Sequence, residues 1–284
     1  MSLLDRLAQD DILIALGGYD ALSAKLADRA GAEAVYMSGS SVAGSITGES
    51  DVGLTSMTEM ARRAHQMAGA IDVPLITDAD TGYGNPLNVR RTVTEFERAG
   101  VTAIQFEDQT FPKRCGHFDG KDVIPAEEFE QKIRAAVDAR SSEDFLIVAR
   151  TDAAAIHGID DAIDRANRYW AAGADIHFVE APTAKDDLAR IPEEVPGPHI
   201  ANMATGGKTP IVPAAELEAM GYDVALYAAE AFRGAMQTFD RIYTSILETG
   251  SQAEIEDEIV SFAERNEMLG LEKWMEYESA YSVD

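Results

Sequence analysis

Cysteine, lysine and long apolar runs are scarce in this chain of 284 residues. Cys115 is the only cysteine, which excludes a disulfide within the chain and makes the cytoplasm the expected compartment. No apolar run reaches the roughly 20 residues that a membrane-spanning helix needs. The first residues, MSLLDRLAQDD, lack a basic segment followed by an apolar one, so the sequence predicts no secretory signal and no membrane partner.

Basic residues are few relative to acidic ones. The chain has 24 Lys and Arg against 50 Asp and Glu, a formal net charge of −26. Nucleic acid is therefore not an expected partner, because affinity for phosphate backbones comes mainly from Lys and Arg. At 46% hydrophobic residues the chain is not a disordered one. We interpret it as a folded protein with an acidic surface adapted to high salt, where screening weakens self-repulsion; the alternative is an ordinary acidic cytosolic enzyme.

Short apolar runs alternate with amphipathic stretches along the chain, and this alternation is typical of a parallel α/β fold. Eight runs predict strands, the number that closes a (β/α)₈ TIM-type barrel, and an open doubly wound sheet is the alternative. We expect a single domain over residues 1–284, in which residues 229–284 form a C-terminal helical extension that packs on another subunit. The predicted strands are Ile12–Leu16, Ala34–Met37, Pro74–Thr77, Ala103–Phe106, Phe145–Ala149, Asp175–Val179, His199–Ala201 and Asp223–Leu226, and the extension contains predicted helices at Ala229–Glu248, Glu254–Glu264 and Leu271–Tyr277.

Polar side chains cluster just after these strands. In a barrel the carboxyl ends of the strands meet on one face, where active sites are built, so a shared site is predicted there. Solvated loop charges are the alternative for any one of them. The residues are Ser38, Asp78, Asp80, Glu107, Asp108, Arg150, Asp152, Glu180 and Asn202.

The segment Thr77–Gly84 places two carboxylates, Asp78 and Asp80, beside a glycine-rich turn. Mg²⁺ is usually held by one or two carboxylates, with waters and substrate oxygens completing an octahedron. The sequence therefore predicts a Mg²⁺ site, with Mn²⁺ as a substitute, at Asp78 and Asp80, supported by Glu107. An Asp-rich turn without metal is the alternative.

Cys115 lies in a polar loop, Phe111–Lys121, that is basic within an otherwise acidic chain. Its near neighbours include Lys113, Arg114 and His117, and cationic surroundings make a thiol reactive. A lone cysteine is more often a small buried hydrophobe, but this setting favours function. Long loops in compact domains are often lids.

Three motif matches fail. Gly206–Thr209 resembles a phosphate loop but has Asn202 where the first Gly belongs. Gly39–Ala43 approaches a nucleophile elbow but ends in Ala. Gly82-Tyr83-Gly84 lacks the third Gly of a dinucleotide fingerprint.

Lys113-Arg114-Cys115-Gly116-His117 resembles the signature of isocitrate and methylisocitrate lyases. Other blocks resemble the isocitrate lyase and phosphoenolpyruvate mutase superfamily in the same order, and the resemblance covers nearly the whole chain. The closest likeness is to the methylisocitrate lyase branch, because the chain is short. The blocks are Gly18–Ala24, Tyr36–Ser40, Asp78–Gly84, Glu107–Gln109, Ala149–Ala153, Glu180-Ala181 and Asn202-Met203.

This resemblance implies a barrel whose terminal helix is swapped within a dimer, usually inside a tetramer, and a mobile loop around Cys115. It implies a Mg²⁺-dependent retro-aldol cleavage of a 2-hydroxy di- or tricarboxylate such as 2-methylisocitrate, to pyruvate and succinate. Cys115 would protonate the carbanion as general acid; Arg150, His117 and Lys113 would stabilise it; Tyr36 or Glu180 would act as base. Substrate contacts are expected from Ser38, Gly39, Ser40, Asp51, Arg114, Gly116, Asn202 and Arg233.

Two positions depart from the family pattern. Thr205 stands where the family often has Glu, and Ala228 where it often has Pro. Both departures bear on the shape of the substrate pocket more than on the reaction. The alternatives are isocitrate or 2,3-dimethylmalate cleavage, phosphonopyruvate or oxaloacetate chemistry, which needs no acidic thiol, and a non-catalytic barrel that binds small carboxylates.

Overall fold

The strands form one closed, parallel barrel in the computed structural model, which describes residues 2–116, 118 and 120–283. All eight predicted strands are observed, displaced by at most two residues at either end. Because the first strand pairs with the eighth, the barrel prediction is confirmed and the open sheet is excluded. The strands are β1 (Leu13–Gly18), β2 (Ala34–Met37), β3 (Leu75–Asp78), β4 (Ala103–Glu107), β5 (Leu146–Thr151), β6 (Ile176–Val179), β7 (His199–Asn202) and β8 (Val224–Tyr227).

Helices connect successive strands, and further helices follow the eighth strand. In the described part of the chain they are α1 (Leu3–Leu7), α2 (Ala21–Arg29), α3 (Gly39–Thr47), α4 (Met57–Ala68), α5 (Pro86–Arg98), α6 (Ala126–Val137), α7 (Ala154–His157), α8 (Ile159–Ala171), α9 (Lys185–Glu194), α10 (Ala214–Met220), α11 (Glu230–Thr249), α12 (Phe262–Leu269) and α13 (Leu271–Tyr281).

One predicted helix is wrong. Glu254–Glu264 is not continuous: a 3₁₀ helix, Ala253–Glu258, is followed by a separate helix that begins after Ser261. The Ser261 hydroxyl accepts a hydrogen bond from the Glu264 backbone N–H, and the Glu264 carboxylate accepts one from the Ser261 N–H. This capping box starts a new helix at that point.

Apolar side chains fill both sides of the strands. Ile76, Val148 and Phe178 are buried in one cluster, while Leu75 pairs with helix residues such as Phe96 in another. Strands covered on both faces need such continuous apolar runs. The barrel is therefore rigid enough to fix the side chains that follow each strand.

The chain divides into two compact units, Met1–Phe232 and Arg233–Asp284. The first contains the barrel. The second contains most of α11 together with α12 and α13. No helix of the described residues is long and apolar enough to cross a membrane.

Candidate active site

A cavity of about 80 Å³ lies at the carboxyl ends of the strands. Its walls combine carboxylates, cations and apolar side chains. The predicted site residues that line it are Tyr36, Ser38, Ser40, Asp51, Asp78, Glu107, Lys113, Arg114, Cys115, Gly116, Arg150, Glu180 and Asn202, and Phe178, Ala204, Leu226, Ala228 and Ala229 complete the lining. The structure thus brings side chains from a long loop and from most of the strands to one place.

Asp78 and Asp80 form a buried carboxylate pair at the end of β3. The Asp80 backbone N–H donates to Asp78 Oδ1 at 2.9 Å. Asp80 has a φ of 48°, a left-handed conformation that Asp tolerates better than most residues. A Cβ on Gly39 would lie 2.4 Å from Asp78 Oδ2, so only glycine lets the start of α3 approach this carboxylate. Gly39 does not line the cavity, and its contact with the substrate stays a prediction.

Lys113 inserts its ammonium among these acids. Its Nζ lies 2.6 Å from Asp80 Oδ1 and 2.8 Å from Asp51 Oδ1, and its side chain is only 3% exposed. Burial raises the pKa of Asp80 to about 6, although the charge of Lys113 opposes that change. Burial alone would lower the pKa of Lys113, but the surrounding carboxylates, Asp80 first, hold it well above its usual range. Lys113 is therefore charged, and its ammonium offsets the negative charge of the Asp51 and Asp80 carboxylates.

Arg150, at the end of β5, is the central cation of the cavity. Its Nε and Nη2 donate to the two carboxylate oxygens of Asp152 at 2.9 and 3.1 Å. Its Nη1 lies 3.4 Å from Glu107 and 3.6 Å from Glu180, and its guanidinium stacks 5.3 Å from the centre of the Phe178 ring. The fork to Asp152 fixes the guanidinium plane, which leaves Nη1 beside the cavity carboxylates.

Tyr36 and Glu180 are the two predicted bases, and their surroundings differ. The Tyr36 hydroxyl donates to Gln105 Oε1 at 2.9 Å, and burial, followed by the charge of Asp78, raises its pKa well above its usual value. Tyr36 therefore stays protonated at neutral pH. Glu180 accepts a hydrogen bond from Asn202 Nδ2 at 3.3 Å, and its Oε2 lies 3.6 Å from Arg150 Nη1. Of the two, Glu180 is the carboxylate, whose oxygens can accept a proton; its role as base stays a prediction.

The loop that carries Cys115 crosses the cavity. Cys115 is half-buried, and its backbone N–H donates to Asp51 O at 3.3 Å. A Cβ on Gly116 would lie 2.4 Å from Arg150 Nη2 and 2.7 Å from Glu180 Cγ, so the backbone packs directly on these side chains. This part of the loop is thus packed against the side chains at the strand ends, and Cys115 lines the same cavity as Asp78 and Arg150.

Comparison with known proteins places the chain in a family. Residues 4–247 match the family model described as phosphoenolpyruvate phosphomutase. The chain is 45% identical over 277 residues to 2,3-dimethylmalate lyase of Eubacterium barkeri, covering 98% of this chain and 96% of that protein. It is 41% identical over 260 residues to 2-methylisocitrate lyase of Aeropyrum pernix, covering 92% and 83%. The chain belongs to the phosphoenolpyruvate mutase and isocitrate lyase superfamily. The predicted resemblance, and the prediction of a lyase-type enzyme of this group, are confirmed.

Solved structures of superfamily members have the same fold. Oxaloacetate acetylhydrolase with the inhibitor 3,3-difluorooxalacetate aligns with a TM-score of 0.93 at 31% identity, over 98% of this chain and 95% of that one. Phosphonopyruvate hydrolase in complex with oxalate and Mg²⁺ aligns with a TM-score of 0.89 at 29% identity, over 98% and 97%. The superfamily fold therefore serves more than one reaction on small oxo acids and phosphonates.

Three predicted site residues besides Gly39 are not among the residues that line the cavity. His117 lies outside the described residues. Arg233 belongs to the second compact unit, so its contact with the substrate stays a prediction. Asp80 does not line the cavity, but its carboxylate binds the ammonium of Lys113, which does.

Sequence reasoning missed several residues of the cavity lining, namely Phe178, Ala204, Leu226 and Ala229. Together with Ala228 they form an apolar part of the cavity wall. Ala228 is one of the two departures from the superfamily pattern, and it faces the cavity. At the other departure, Thr205, the backbone N–H donates to Glu230 Oε1 at 3.1 Å. Strand residues that point into the cavity look like ordinary core in a sequence, so no signal separated them.

The carboxylates fit a hard divalent cation. Among the residues that the structure describes, no three His, Cys, Asp or Glu side chains are arranged as a complete metal site. Mg²⁺ needs only one or two carboxylates, however. Glu107 Oε1 is buried without a hydrogen-bond partner, and burial raises the pKa of Glu107 well above its usual range. An unpaired buried carboxylate oxygen close to Asp78 is a ligand group that a bound cation would satisfy.

Proposed function

We propose that this chain is a Mg²⁺-dependent carbon–carbon lyase that cleaves a 2-methylisocitrate-like 2-hydroxy acid into pyruvate and a second carboxylate. The observation that carries this proposal is that Cys115, Arg150 and Asp78 line one cavity. An acid, a cation and a metal-binding carboxylate are the three groups that such a cleavage requires.

Asp78 would hold Mg²⁺ directly, with Asp80 and Glu107 in support. When bound, the cation supplies Lewis-acid polarisation of the substrate's 2-hydroxyl and adjacent carboxylate. The backbone N–H groups of Gly39 and Ser40 begin α3, where they have no acceptor within the helix, so they can bind the carboxylate that becomes part of pyruvate.

The remaining residues move protons and balance charge. Glu180 takes the proton of the 2-hydroxyl, and the bond between C2 and C3 then breaks. The electron pair stays on C3, next to a carboxylate, and Arg150 neutralises the developing negative charge. The Cys115 thiol then donates its proton to C3. 2-Methylisocitrate would yield pyruvate and succinate by this route.

A second candidate substrate is 2,3-dimethylmalate. The apolar wall of Phe178, Leu226 and Ala228 suits a methyl group better than a third carboxylate. The similarity to 2,3-dimethylmalate lyase over nearly the full length of both chains supports the same choice. The products would be pyruvate and propionate.

A substrate panel tests the proposal. The enzyme is incubated with Mg²⁺ and 2-methylisocitrate, 2,3-dimethylmalate, isocitrate, oxaloacetate or phosphonopyruvate, and the oxo acid and any phosphate released are identified. We expect pyruvate from one of the first two acids, loss of activity with EDTA, and recovery with Mg²⁺ or Mn²⁺. Turnover of oxaloacetate or phosphonopyruvate alone would assign the chain to the hydrolytic or mutase branches instead.

The Cys115→Ser variant tests the acid. A general acid contributes about 10²- to 10⁴-fold, so cleavage should fall by that factor. Binding of Mg²⁺ and pyruvate, measured by calorimetry, should persist and serves as the control for folding. Unchanged turnover would remove the thiol from the mechanism, and absence of any cleavage in the wild-type protein would favour a carboxylate-binding barrel.

We also propose a homotetramer built from helix-swapped dimers in the cytoplasm. The second compact unit exposes large apolar side chains, among them Tyr243 at 61%, Leu247 at 85%, Phe262 at 78% and Trp274 at 67%. Monomers rarely leave this much apolar surface in water. Light scattering during gel filtration should give four times 30.7 kDa, and a monomer mass would contradict the assembly.

A further inference from the structure

Lys121 lies at the C-terminal end of the Cys115 loop and anchors the loop by contacts that the sequence did not predict. Its Nζ lies 2.7 Å from Asp152 Oδ1 and also donates to the backbone carbonyl of Gly116, the residue next to Cys115. The Lys121 side chain is 2% exposed and that of Asp152 is fully buried. The ammonium therefore joins the loop backbone to the end of β5 away from water.

Asp152 is a fixed anchor. Its two carboxylate oxygens hold Arg150, and its backbone N–H donates to Asp108 Oδ1 at 2.9 Å. Asp108 in turn accepts from the Tyr169 hydroxyl at 2.8 Å and from Arg165 at 3.2 Å. Burial alone would raise the pKa of Asp152, but the charges of Arg150 and Lys121 lower it to about 2. The carboxylate is thus ionised and immobile, and it serves the cavity cation and the loop at once.

The loop is held on both sides of the thiol by buried ammonium groups. Lys113 binds Asp51 and Asp80 before Cys115, and Lys121 binds Asp152 after it. Gln109 holds the intervening backbone, because its side chain donates to Arg114 O at 2.8 Å and accepts from Arg114 N at 3.0 Å. Lys113 contacts Asp80, a predicted support of the Mg²⁺ site, whereas Lys121 contacts Asp152, which also binds Arg150.

We propose that Lys121 is a positioning residue for the cleavage, which holds the Gly116 carbonyl against Asp152 and so keeps the Cys115 thiol over the reacting carbon. This inference rests on the proposed function for its catalytic consequence only. Without the ammonium, the Gly116 carbonyl and Asp152 Oδ1 lose a shared buried partner. Removing one member of a buried ion pair is strongly destabilising, and opening of the loop to water relieves that penalty. Loop opening would carry the thiol away from Arg150.

Cys115 is the only cysteine of the chain, so alkylation by iodoacetamide, in which the sulfur displaces iodide, reports on this loop alone. We compare the wild-type protein, Lys121→Met, Lys121→Arg and Lys185→Met. Lys185 is a matched control, since it also pairs with a carboxylate, Glu216, but lies 53% exposed and outside the cavity lining. Alkylation rate, kcat, KM and Tm are measured for each.

Lys121→Met should be alkylated about tenfold faster or more, because the closed loop loses a buried charge partner. Its kcat should fall by about tenfold or more while KM changes little, because proton delivery, and not binding, is impaired. Lys121→Arg should recover part of both effects, and Lys185→Met should match the wild type.

A purely structural ion pair would lower Tm without changing the alkylation rate or kcat, and that result would overturn the inference. If Lys121→Met does not fold, Lys121→Gln is judged by the same two rates. Alkylation needs no substrate, so failure of the proposed function appears separately, as absence of cleavage in the wild-type protein with every acid.

Discussion

Replacing Gly116 by Ala should open the loop without disturbing the barrel. A Cβ at this position would lie 2.4 Å from Arg150 Nη2, about 1 Å inside an ordinary contact distance. The neighbours cannot move aside easily. Arg150 is held by both oxygens of Asp152 and stacks on Phe178, and Glu180 is 1% exposed. The backbone around Cys115 must therefore shift by about 1 Å.

A displacement of this size at a reacting group costs about 100-fold in rate, equivalent to about 2.7 kcal/mol of transition-state stabilisation. The assay is kcat/KM for pyruvate release, coupled to reduction of the oxo acid. Gly69→Ala is the matched control, because Gly69 has a φ of −71° and its added Cβ would meet nothing closer than 3.4 Å. A Gly116→Ala enzyme with wild-type kcat/KM would show that the closed loop described above is not the reactive one.

Three further predictions concern pH, metal and salt. Burial, followed by the charge of His199, lowers the pKa of His177 to about 3, so the unfolded chain binds a proton below pH 6.5 that the folded chain does not bind until about pH 3. The free energy of unfolding should therefore fall by about 1.4 kcal/mol for each pH unit as the pH is lowered from 6.5 to about 3. Urea unfolding at several pH values should show a smaller decrease for His177→Asn than for the wild type. An equal decrease in both proteins would contradict this. Lys113→Met should bind Mg²⁺ about tenfold more tightly by calorimetry, since its ammonium competes for Asp51 and Asp80, and weaker binding would contradict that role. With a net charge of −26, the protein should lose Tm on dialysis into low salt, and a constant Tm would argue against high-salt adaptation.

The barrel could be predicted because its signals are local. Parallel strands buried on both faces produce runs such as Ala103–Phe106, and the polar residue that follows each run marks the strand's carboxyl end. Asp78, Glu107 and Arg150 could be assigned to one site for that reason. The break between Glu258 and Phe262 also has a local signal, because Ser261 is followed three residues later by Glu264, which is the pattern of a capping box.

Contacts between distant residues had no such signal. The partner of Lys121 lies 31 residues away, and the ammonium of Lys113 reaches Asp51 across 62 residues. Loop conformation decides both pairings, and no periodic pattern in the sequence predicts the conformation of a loop. Lys113 therefore has contacts with Asp51 and Asp80 that the sequence did not predict, and its role in stabilising the carbanion stays a prediction.

The position of the thiol has a stereochemical consequence. Cys115 lines the cavity from the loop, whereas Asp78 and Arg150 line it from the ends of β3 and β5. If Cys115 is the acid, as proposed, we expect its proton to arrive at only one face of a planar carbanion. In deuterium oxide the thiol exchanges its hydrogen with solvent, and the succinate or propionate released should carry a single deuterium at a carbon of one handedness. Racemic label would mean that water, reaching both faces, had quenched the carbanion instead.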